Sequence, residues 1–413
     1  MPLAAQFERV DILFPGLVQR ATRSRVEAAL RDLDAGKSRS EIIASTGVVV
    51  GAADVSLEIE QGEIFVIMGL SGSGKTTVLR AMNGLNTISR GRVLIRHGEA
   101  MVDMTNPAPA VLRRLRNEAI SMVFQQFALL PWRSVRRNVE FGLELRRMKA
   151  AEMRDVVDKW LDLVGLLPWA EKHAHELSGG MQQRVGLARA LATNADILLM
   201  DEPFSALDPL IRNKLQDELL SLQRSVQKTI LFVTHDLDEA LKLGSQIAIM
   251  KDGRIVQIGK PEDIVLRPAT EYVAEFVRHM NPLSAIRAAS LMRRINAITT
   301  TDGTCHFVDR AHYQIRLDVE GGLAAVHCEG AELTWREPGM DGPAEQPGAP
   351  PDIHIVEADQ LLKDIVTLRQ QSGHPVLVRA KGKIIGFCGS EEIFSALTHA
   401  GRSEFRDTLT AVG

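Results

Sequence analysis

From residue 7 to about residue 280 the chain repeats one pattern, a short aliphatic run followed by a segment with helical spacing of its apolar positions. The runs EIFVIMG (63–69), ISMVFQ (120–125), DILLMD (196–201), TILFVTH (229–235) and QIAIMKDG (246–253) read as strands. Strands alternating with helices predict an α/β domain built on a largely parallel sheet. An earlier stretch, LVQRATRSRVEAALRDLDAGKS, is charged and helical in period and sits between two strand-like pieces. It reads as an inserted helix, within a helical insertion at about 17–47.

The pattern changes after Pro282. WREPGMDGPAEQPGAPPD (335–352) is rich in Pro and Gly with hardly an aliphatic, which predicts a loop or linker. ADQLLKDIVTLRQQSGHPVLVRAKGKIIGFCGSEEIFSALTHAG then reads helix, strand, turn, strand, helix, a small α/β module of its own, with a weak duplicate in residues 285–330. Three parts result: 1–280, 281–352 and 353–413.

Composition narrows the class only a little. At 413 residues the chain exceeds what one core usually holds, and 24% charged with 45% apolar residues is a normal globular balance. A net charge of −3 gives no electrostatic reason to expect nucleic acid. The three cysteines, Cys305, Cys328 and Cys388, are too few for a disulfide framework and fit a reducing cytoplasm. No apolar run approaches the ~18 residues of a membrane span. The opening MPLAAQFERVDILFPG lacks the basic-then-apolar order of a signal peptide. Any service to a membrane would therefore pass through a partner.

The chemistry begins at GLSGSGKTT, residues Gly69, Leu70, Ser71, Gly72, Ser73, Gly74, Lys75, Thr76 and Thr77. It follows an aliphatic strand and precedes the apolar-periodic VLRAMNGL, the strand–loop–helix context a phosphate-binding P-loop requires. The glycines let backbone N–H groups turn toward phosphate oxygens beside a helix N-terminus. Lys75 supplies a positive charge to β- and γ-phosphates, and the Thr76 hydroxyl can hold Mg²⁺. AGKS (35–38) shares the Gly-Lys-Ser text, but Arg31 stands where the first glycine belongs and no strand leads in, so it reads as a solvated helix end.

DILLMDEP places two carboxylates at a strand's C-terminal end. Asp201 would bind Mg²⁺ directly or through water, and Glu202 is placed to accept a proton from an attacking water. A surface acidic pair capping the next helix is the plainer alternative. Gln125 and His235 also end aliphatic strands, where open α/β sheets bind ligands. From spacing alone each is either structural or a nucleotide contact. LSGGMQQR (177–184) adds a second Ser-Gly-Gly turn at the head of a helix, one more phosphate cradle than a single nucleotide needs.

This order (P-loop, VFQ, LSGGMQQR, ILLMDEP, SALD, then a strand ending in His) resembles the ATPase subunit of ABC transporters over about residues 7–280. The resemblance implies a P-loop ABC ATPase domain, a RecA-like core with a helical subdomain, that binds ATP and Mg²⁺. It implies a homodimer that sandwiches two ATP molecules, so that Leu177, Ser178, Gly179, Gly180, Met181 and Gln182 of one chain meet the nucleotide held by the other. Gln125 becomes the Mg²⁺-ligating Q-loop residue, Asp208 the D-loop residue coupling the two sites, and His235 the switch histidine on the γ-phosphate. Phe14, in ILFPG, is the candidate for stacking on adenine, with a core role as its alternative. FALLPWRSV (127–135) would receive an integral membrane permease subunit.

The insertion together with SLEIEQGEIFVIMGLSGSGKTT, FSALDPLIRNKLQDELL and THDLDEALKLGSQIAIMKDGRIVQIGKPEDI is similar to the quaternary-amine branch of bacterial importers. That branch takes up glycine betaine, proline betaine or choline with the help of a substrate-binding protein. Its ATPases lie peripherally on the cytoplasmic face of the inner membrane. PVLVRAKGKIIGFCGSEEIFSAL is similar to the second half of a CBS module, whereas TDGTCHFVDRAHYQIRLDVEGGLAAVHCEG departs from that pattern. Substrates such as histidine or trimethylamine oxide stay open. A soluble ABC ATPase acting on nucleic acid or ribosomes is disfavoured, because no long coiled coil or second cassette is present. A cassette that senses ATP without hydrolysing it would lack Glu202 or His235. Cys305-His306 and His327-Cys328 match no standard zinc spacing, and HAH (173–175) reads as a loop.

Overall fold

The strand-like pieces that flank the insertion, β1 (Leu3–Pro15) and β2 (Val48–Glu60), pair antiparallel along most of their length, with Phe14 opposite Val49. The chain therefore returns to where it left, and the insertion is an excursion rather than a break in the fold. Among its described residues it holds two helices where the sequence suggested one, α1 (Arg23–Asp34) and α2 (Arg39–Thr46). Ser38 divides them: its hydroxyl accepts from the Glu41 N–H while the Glu41 carboxylate accepts from the Ser38 N–H, a reciprocal cap. The Gly-Lys-Ser text of AGKS is thus used as a helix start. Val26, Leu30, Leu33 and Ile42 of these helices pack on Leu13, Val48 and Val50. Arg90 clamps the arrangement, donating to Asp11 at 2.5 Å and to Asp34 at 2.8 Å.

This computed structural model describes residues 2–15, 23–278, 283, 286–295, 304–338 and 353–399, with side chains through Ala396 in the last stretch. The start of the expected insertion (17–22), most of the expected linker (339–352) and the end of the C-terminal module (400–413) lie outside the described residues.

Every residue of β3 (Ile64–Met68) is buried, and it feeds directly into the glycine-rich loop and α3 (Lys75–Met82). β4 (Arg90–His97) and β5 (Ala100–Asp103) complete a four-stranded sheet in the order β2-β1-β4-β5. Long stretches of β2 alternate buried and exposed residues, the pattern of a sheet with one wet face, and aliphatic runs do not reveal it. β6 (Ile120–Val123), β7 (Ile197–Asp201), β8 (Thr229–Thr234), β9 (Gln246–Lys251) and β10 (Arg254–Gly259) join β3 in a six-stranded sheet of order β10-β9-β3-β8-β7-β6. Within it β9, β3, β8, β7 and β6 run parallel, as the alternation of strand-like and helical segments predicted. One core, with Phe7 of β1, Phe65 of β3, Leu79 of α3 and Leu231 of β8 among its members, joins both sheets.

Six further helices follow in the first unit: α4 (Pro109–Glu118), α5 (Val135–Leu145), α6 (Ala150–Leu163), α7 (Gly179–Ala192), α8 (Pro209–Val226) and α9 (Leu237–Leu243). α5 and α6 pack against α7. No helix among the described residues is long and apolar enough to cross a membrane.

The chain divides into two compact units, Met1–Ile258 and Gly259–Gly413. α10 (Pro261–Leu266) and α11 (Glu271–Arg278), which the sequence pattern assigned to the first domain, group with the second unit, where Glu262 pairs with Arg287 at 3.3 Å. In this unit α12 (Ala288–Leu291) precedes β11 (Arg293–Arg294). β12 (Thr304–Asp309), β13 (Ala311–Leu317), β14 (Leu323–Cys328) and β15 (Ala331–Glu332) then form an antiparallel meander. The duplicate expected in residues 285–330 is therefore not an α/β module among the described residues: its HFVDRAHYQIRL text folds as a hairpin turning at Arg310. β16 (Trp335–Arg336), β17 (Ile353–Glu357), α13 (Leu362–Ser372), β18 (Val376–Ala380), β19 (Lys383–Cys388) and α14 (Ser390–His399) follow. Strands β11, β19, β18, β17 and β16 make one sheet, and Phe307 of the meander stacks on Phe387 of that sheet with centroids 3.8 Å apart. Cys305 is buried while its neighbour His306 is exposed, as alternation along a strand requires.

Candidate active site

Because β3, β6, β7 and β8 are parallel, whatever follows each of them gathers at one edge of the sheet. The glycine-rich loop follows β3. Gly69, Gly72 and Gly74 all have positive φ. A side chain at Gly69 would meet the Met250 carbonyl at 2.3 Å, and one at Gly74 the Gly51 carbonyl at 2.4 Å, so neither position accepts a Cβ. Gly72 faces open space. The loop is tied from outside by Gly253, whose N–H donates to Ser73 O at 2.9 Å, and by Arg39 of the insertion, which donates to Gly72 O at 3.0 Å. The Ser73 hydroxyl is buried without a hydrogen-bond partner among the described residues. Leu70 and Ser71 are exposed at the tip, and the Thr77 carbonyl accepts from Asn86 at 3.0 Å.

Lys75 opens α3 and curls back over the loop, donating to Gly69 O at 2.8 Å and Leu70 O at 3.1 Å. Burial pushes its ammonium below the ordinary lysine value, and the negative charges of Glu202 and Asp201 work against that shift. One residue on, Thr76 donates its hydroxyl to Asp201 at 2.7 Å. Asp201 is wholly buried at the end of β7. Burial pushes its carboxyl above the ordinary range, opposed by the Thr76 hydrogen bond and by Arg80 at 3.4 Å.

The second carboxylate sits between two polar neighbours. Glu202 has φ 48°, and its Oε2 lies 3.3 Å from Gln125 Nε2 and 3.3 Å from His235 Nδ1. Gln125 stands just beyond β6 and His235 just beyond β8, rather than inside those strands. His235 keeps 59% of its side-chain surface exposed, so it faces the open side of the cluster. A carboxylate held by an amide and an imidazole, beside a buried lysine and a Thr–Asp pair, is equipped to take a proton from a water attacking a phosphate bound at the loop. Phe14 lies at the same edge: both its Cε2 and the Thr77 Cγ2 lie within 3 Å of where a Cβ on Gly51 would be. The β1–β2 pairing brings it there across the insertion.

The structure does not bring the second Ser-Gly-Gly turn to this cluster. Leu177 is buried, and Ser178 caps α7 by accepting from the Met181 N–H at 3.4 Å. Gly179 faces open space, and Gln182 donates back to Leu177 O at 3.1 Å. Among the described residues no hydrogen bond or ion pair joins residues 177–182 to residues 69–77. Asp208 caps α8, accepting from Ile211 N–H at 3.0 Å. The segment 127–135 leaves the sheet edge with Phe127 and Ala128 in left-handed backbone, their carbonyls held by Arg189 of α7 at 3.0 and 2.7 Å. It presents Trp132 with 71% of its surface exposed. HAH lies in a short turn just before α7, with the rings of His173 and His175 stacked.

Three residues at the site escaped the sequence pattern. Arg80 is four residues beyond Thr76, hence on the same helix face, and that spacing could have found it. Gln183 of α7 is buried, donating to Glu202 O at 3.2 Å and accepting from Ala206 N–H at 3.1 Å. Its signal is a polar residue on the helix face of Leu187 and Ala190. Glu239 is buried behind His235 and accepts from Thr234 at 2.7 Å; nothing in its spacing marks it.

A family model described as ABC transporter matches residues 52–205. The chain is 45% identical over 302 residues to the glycine betaine transport ATP-binding protein OpuAA of Bacillus subtilis, covering 73% of this chain and 69% of that protein. It is 50% identical over 268 residues to the glycine betaine/proline betaine transport ATP-binding protein ProV of Escherichia coli, covering 65% of this chain and 66% of that one. Among solved structures, the dimeric structure of MJ0796, described as a bacterial ABC transporter cassette, superposes with a TM-score of 0.52 at 30% identity, covering 62% of this chain and 98% of that one. The same cassette has been solved as a dimer in a post-hydrolysis state bound to ADP and Pi.

Proposed function

This chain belongs to the ABC transporter family of ATP-binding, ATP-hydrolysing subunits, and from that premise we propose that it energises a bacterial importer of quaternary amines such as glycine betaine, proline betaine or choline. Two copies clasp ATP between them. In each copy residues 69–77 wrap the phosphates, Lys75 neutralises their charge and Phe14 stacks on adenine. Ser178, Gly179 and Gly180, at the N-terminus of α7 with Leu177, Met181 and Gln182 behind them, close over the nucleotide of the other copy. Asp208 sits at the turn between the two sites. The open, exposed face at Gly179, unlinked to its own P-loop, is the feature that asks for a second copy.

Thr76, Asp201 and Gln125 would hold Mg²⁺. A hydroxyl, a carboxylate and an amide are the hard oxygen donors this ion takes, and Thr76 and Asp201 already converge at 2.7 Å. The ion would supply positive charge where negative charge builds on the phosphate oxygens. Glu202 takes the proton of the attacking water, held in place by Gln125 and by His235, which also faces the γ-phosphate. ADP and phosphate result, and loss of the γ-phosphate releases the clasp.

The exposed Trp132 and its loop would receive an integral membrane permease subunit. The chain would then sit peripherally on the cytoplasmic face of the inner membrane, with a substrate-binding protein acting through the permease. The β17-α13-β18-β19-α14 order suits a CBS-like module in the second unit.

The observation that carries the proposal is Glu202 held between Gln125 and His235 beside the Lys75 loop. Glu202→Gln should abolish turnover yet trap an ATP-bound dimer, since the base is lost while both cradles remain. Size-exclusion chromatography with ATP reads this directly, and a variant that stays monomeric refutes the clasp.

A further inference from the structure

No hydrogen bond joins the two cradles of one chain among the described residues, yet a buried side chain behind the second reaches the backbone of Glu202 in the first. Gln183 lies in the second turn of α7, the helix whose N-terminus is the Ser178–Gly180 cradle, and only 1% of its surface is exposed. Its amide spans the turn that leaves β7, with Nε2 donating to Glu202 O at 3.2 Å and Oε1 accepting from Ala206 N–H at 3.1 Å. The backbone of α7 is pressed onto the same turn, for a Cβ on Gly180 would lie 3.1 Å from Ala206 O.

We propose that Gln183 is a positioning residue that couples the two nucleotide sites, by fixing the backbone of Glu202 to the helix that closes over the partner's nucleotide. This rests on the two-copy clasp proposed above. Glu202 belongs to the chain's own site, whereas Ser178 serves the other copy. When α7 shifts as its N-terminus meets the partner's phosphate, Gln183 carries that shift to the carbonyl of Glu202 and to Ala206, two residues before Asp208. The Glu202 carboxylate, held by Gln125 and His235 at 3.3 Å each, is set by a backbone that moves with α7. A carboxamide suits this task because it donates and accepts at once across one turn. The Glu202 carbonyl has a second donor, the Ser205 hydroxyl at 3.0 Å, so losing Gln183 loosens the turn without stripping that carbonyl bare.

The test uses the full-length chain with Mg·ATP and three readouts: ATP affinity, ATPase rate against ATP concentration, and melting temperature. Gln183→Met keeps the length and removes both polar atoms. It is expected to leave ATP affinity within about twofold, to lower kcat roughly tenfold or more, and to turn a sigmoidal ATP dependence hyperbolic. Gln183→Glu is expected to regain rate and sigmoidicity as the pH falls, because only the protonated side chain can donate to the Glu202 carbonyl. A passive packing residue would lower rate only in step with the folded fraction, leaving the Hill coefficient alone. If both variants keep the wild-type Hill coefficient, or if neither folds, the inference is overturned while the clasp stands. If Glu202→Gln fails to dimerise and the wild type responds hyperbolically, the clasp and this inference fall together.

Discussion

Phe14 offers the sharpest test of how the nucleotide lies. The ring is at the end of β1 with 37% of its surface exposed, and part of it rests against the edge of Gly51 and Thr77. Stacking a base on an aromatic ring is worth ~1–3 kcal/mol by alanine substitution. The residue is already partly covered, so the lower part of that range applies, about 1–2 kcal/mol, or roughly 5- to 30-fold in Kd. Phe14→Ala should weaken ATP by that factor and leave inorganic tripolyphosphate, which has no base, within about twofold. Phe14→Tyr should bind ATP like the wild type.

A second perturbation reaches the ring without replacing it. Gly51 does not need left-handed backbone, but a Cβ there would lie 2.5 Å from Phe14 Cε2 and 2.9 Å from Thr77 Cγ2. Gly51→Ala must therefore push the ring outward, at an overpacking cost of ~1 kcal/mol given a half-exposed neighbour. It should weaken ATP more than tripolyphosphate, as Phe14→Ala does. Competition against a fluorescent ATP analogue measures each of these affinities. If ATP and tripolyphosphate weaken in parallel, or if neither changes in Phe14→Ala, the ring is packing for the insertion and not a base contact.

Three other expectations follow from the geometry. Lys75→Ala removes the buried ammonium and should weaken ATP by about 1.5–3 kcal/mol, the scale of a charge-assisted hydrogen bond; unchanged affinity contradicts its role. Ser178→Arg should leave ATP binding to the single chain intact yet abolish hydrolysis, because the obstruction falls on the partner's nucleotide; persistent turnover excludes the second cradle. Asp201→Asn should raise stability in the absence of nucleotide while destroying activity. Burial lifts the Asp201 pKa in the folded chain, so the folded state holds that proton to higher pH than the unfolded state, and ionisation subtracts stability as pH rises through the folded value. Melting curves should show the variant's advantage in mildly alkaline buffer and its disappearance in acid below the ordinary aspartate range. A variant less stable at every pH would mean the Thr76 and Arg80 contacts outweigh burial.

What the sequence made legible was whatever depends on local pattern. Fully apolar runs marked β3, β7, β8 and β9, because a strand covered on both faces has no polar side to confuse the period. The glycine-rich loop and the carboxylate pair were legible because each is defined by its immediate flanks. The antiparallel sheet of β1, β2, β4 and β5 was not, since alternating, bulged strands dilute the signal; β1 shifts register four times against β2. Phe14's proximity to Thr77 needed that pairing, and local text could not supply it. The weak duplicate of the α/β module expected over residues 285–330 misled for another reason, because strand-like text does not say which strands it pairs with, and residues 304–328 pair with one another as a meander.

The placement of Glu202 explains why the site departs from regular backbone where it does. Along a strand successive side chains point to opposite faces. Asp201, the last residue of β7, is turned toward Thr76 and α3. A fully extended Glu202 would project away from Asp201's face, and the two carboxylates could not share one phosphate. The left-handed backbone at Glu202, φ 48°, breaks the alternation at the first position where the ladder no longer demands it, and the side chain comes to lie between Gln125 and His235. Such a conformation costs a non-glycine residue on the order of 1–2 kcal/mol. Glycine at 202 would adopt it freely but would discard the carboxylate that we propose as the base, so the strain belongs to the proposed function. The Glu202 N–H donating to Val233 O at 3.0 Å and the Gln183 amide on its carbonyl hold the residue there from both sides. Neighbouring groups are strained in the same sense, for Lys75 and Asp201 are both buried where their ionised forms are disfavoured. The edge of the sheet that does the chemistry is held in place by the fold around it rather than by its own preferences.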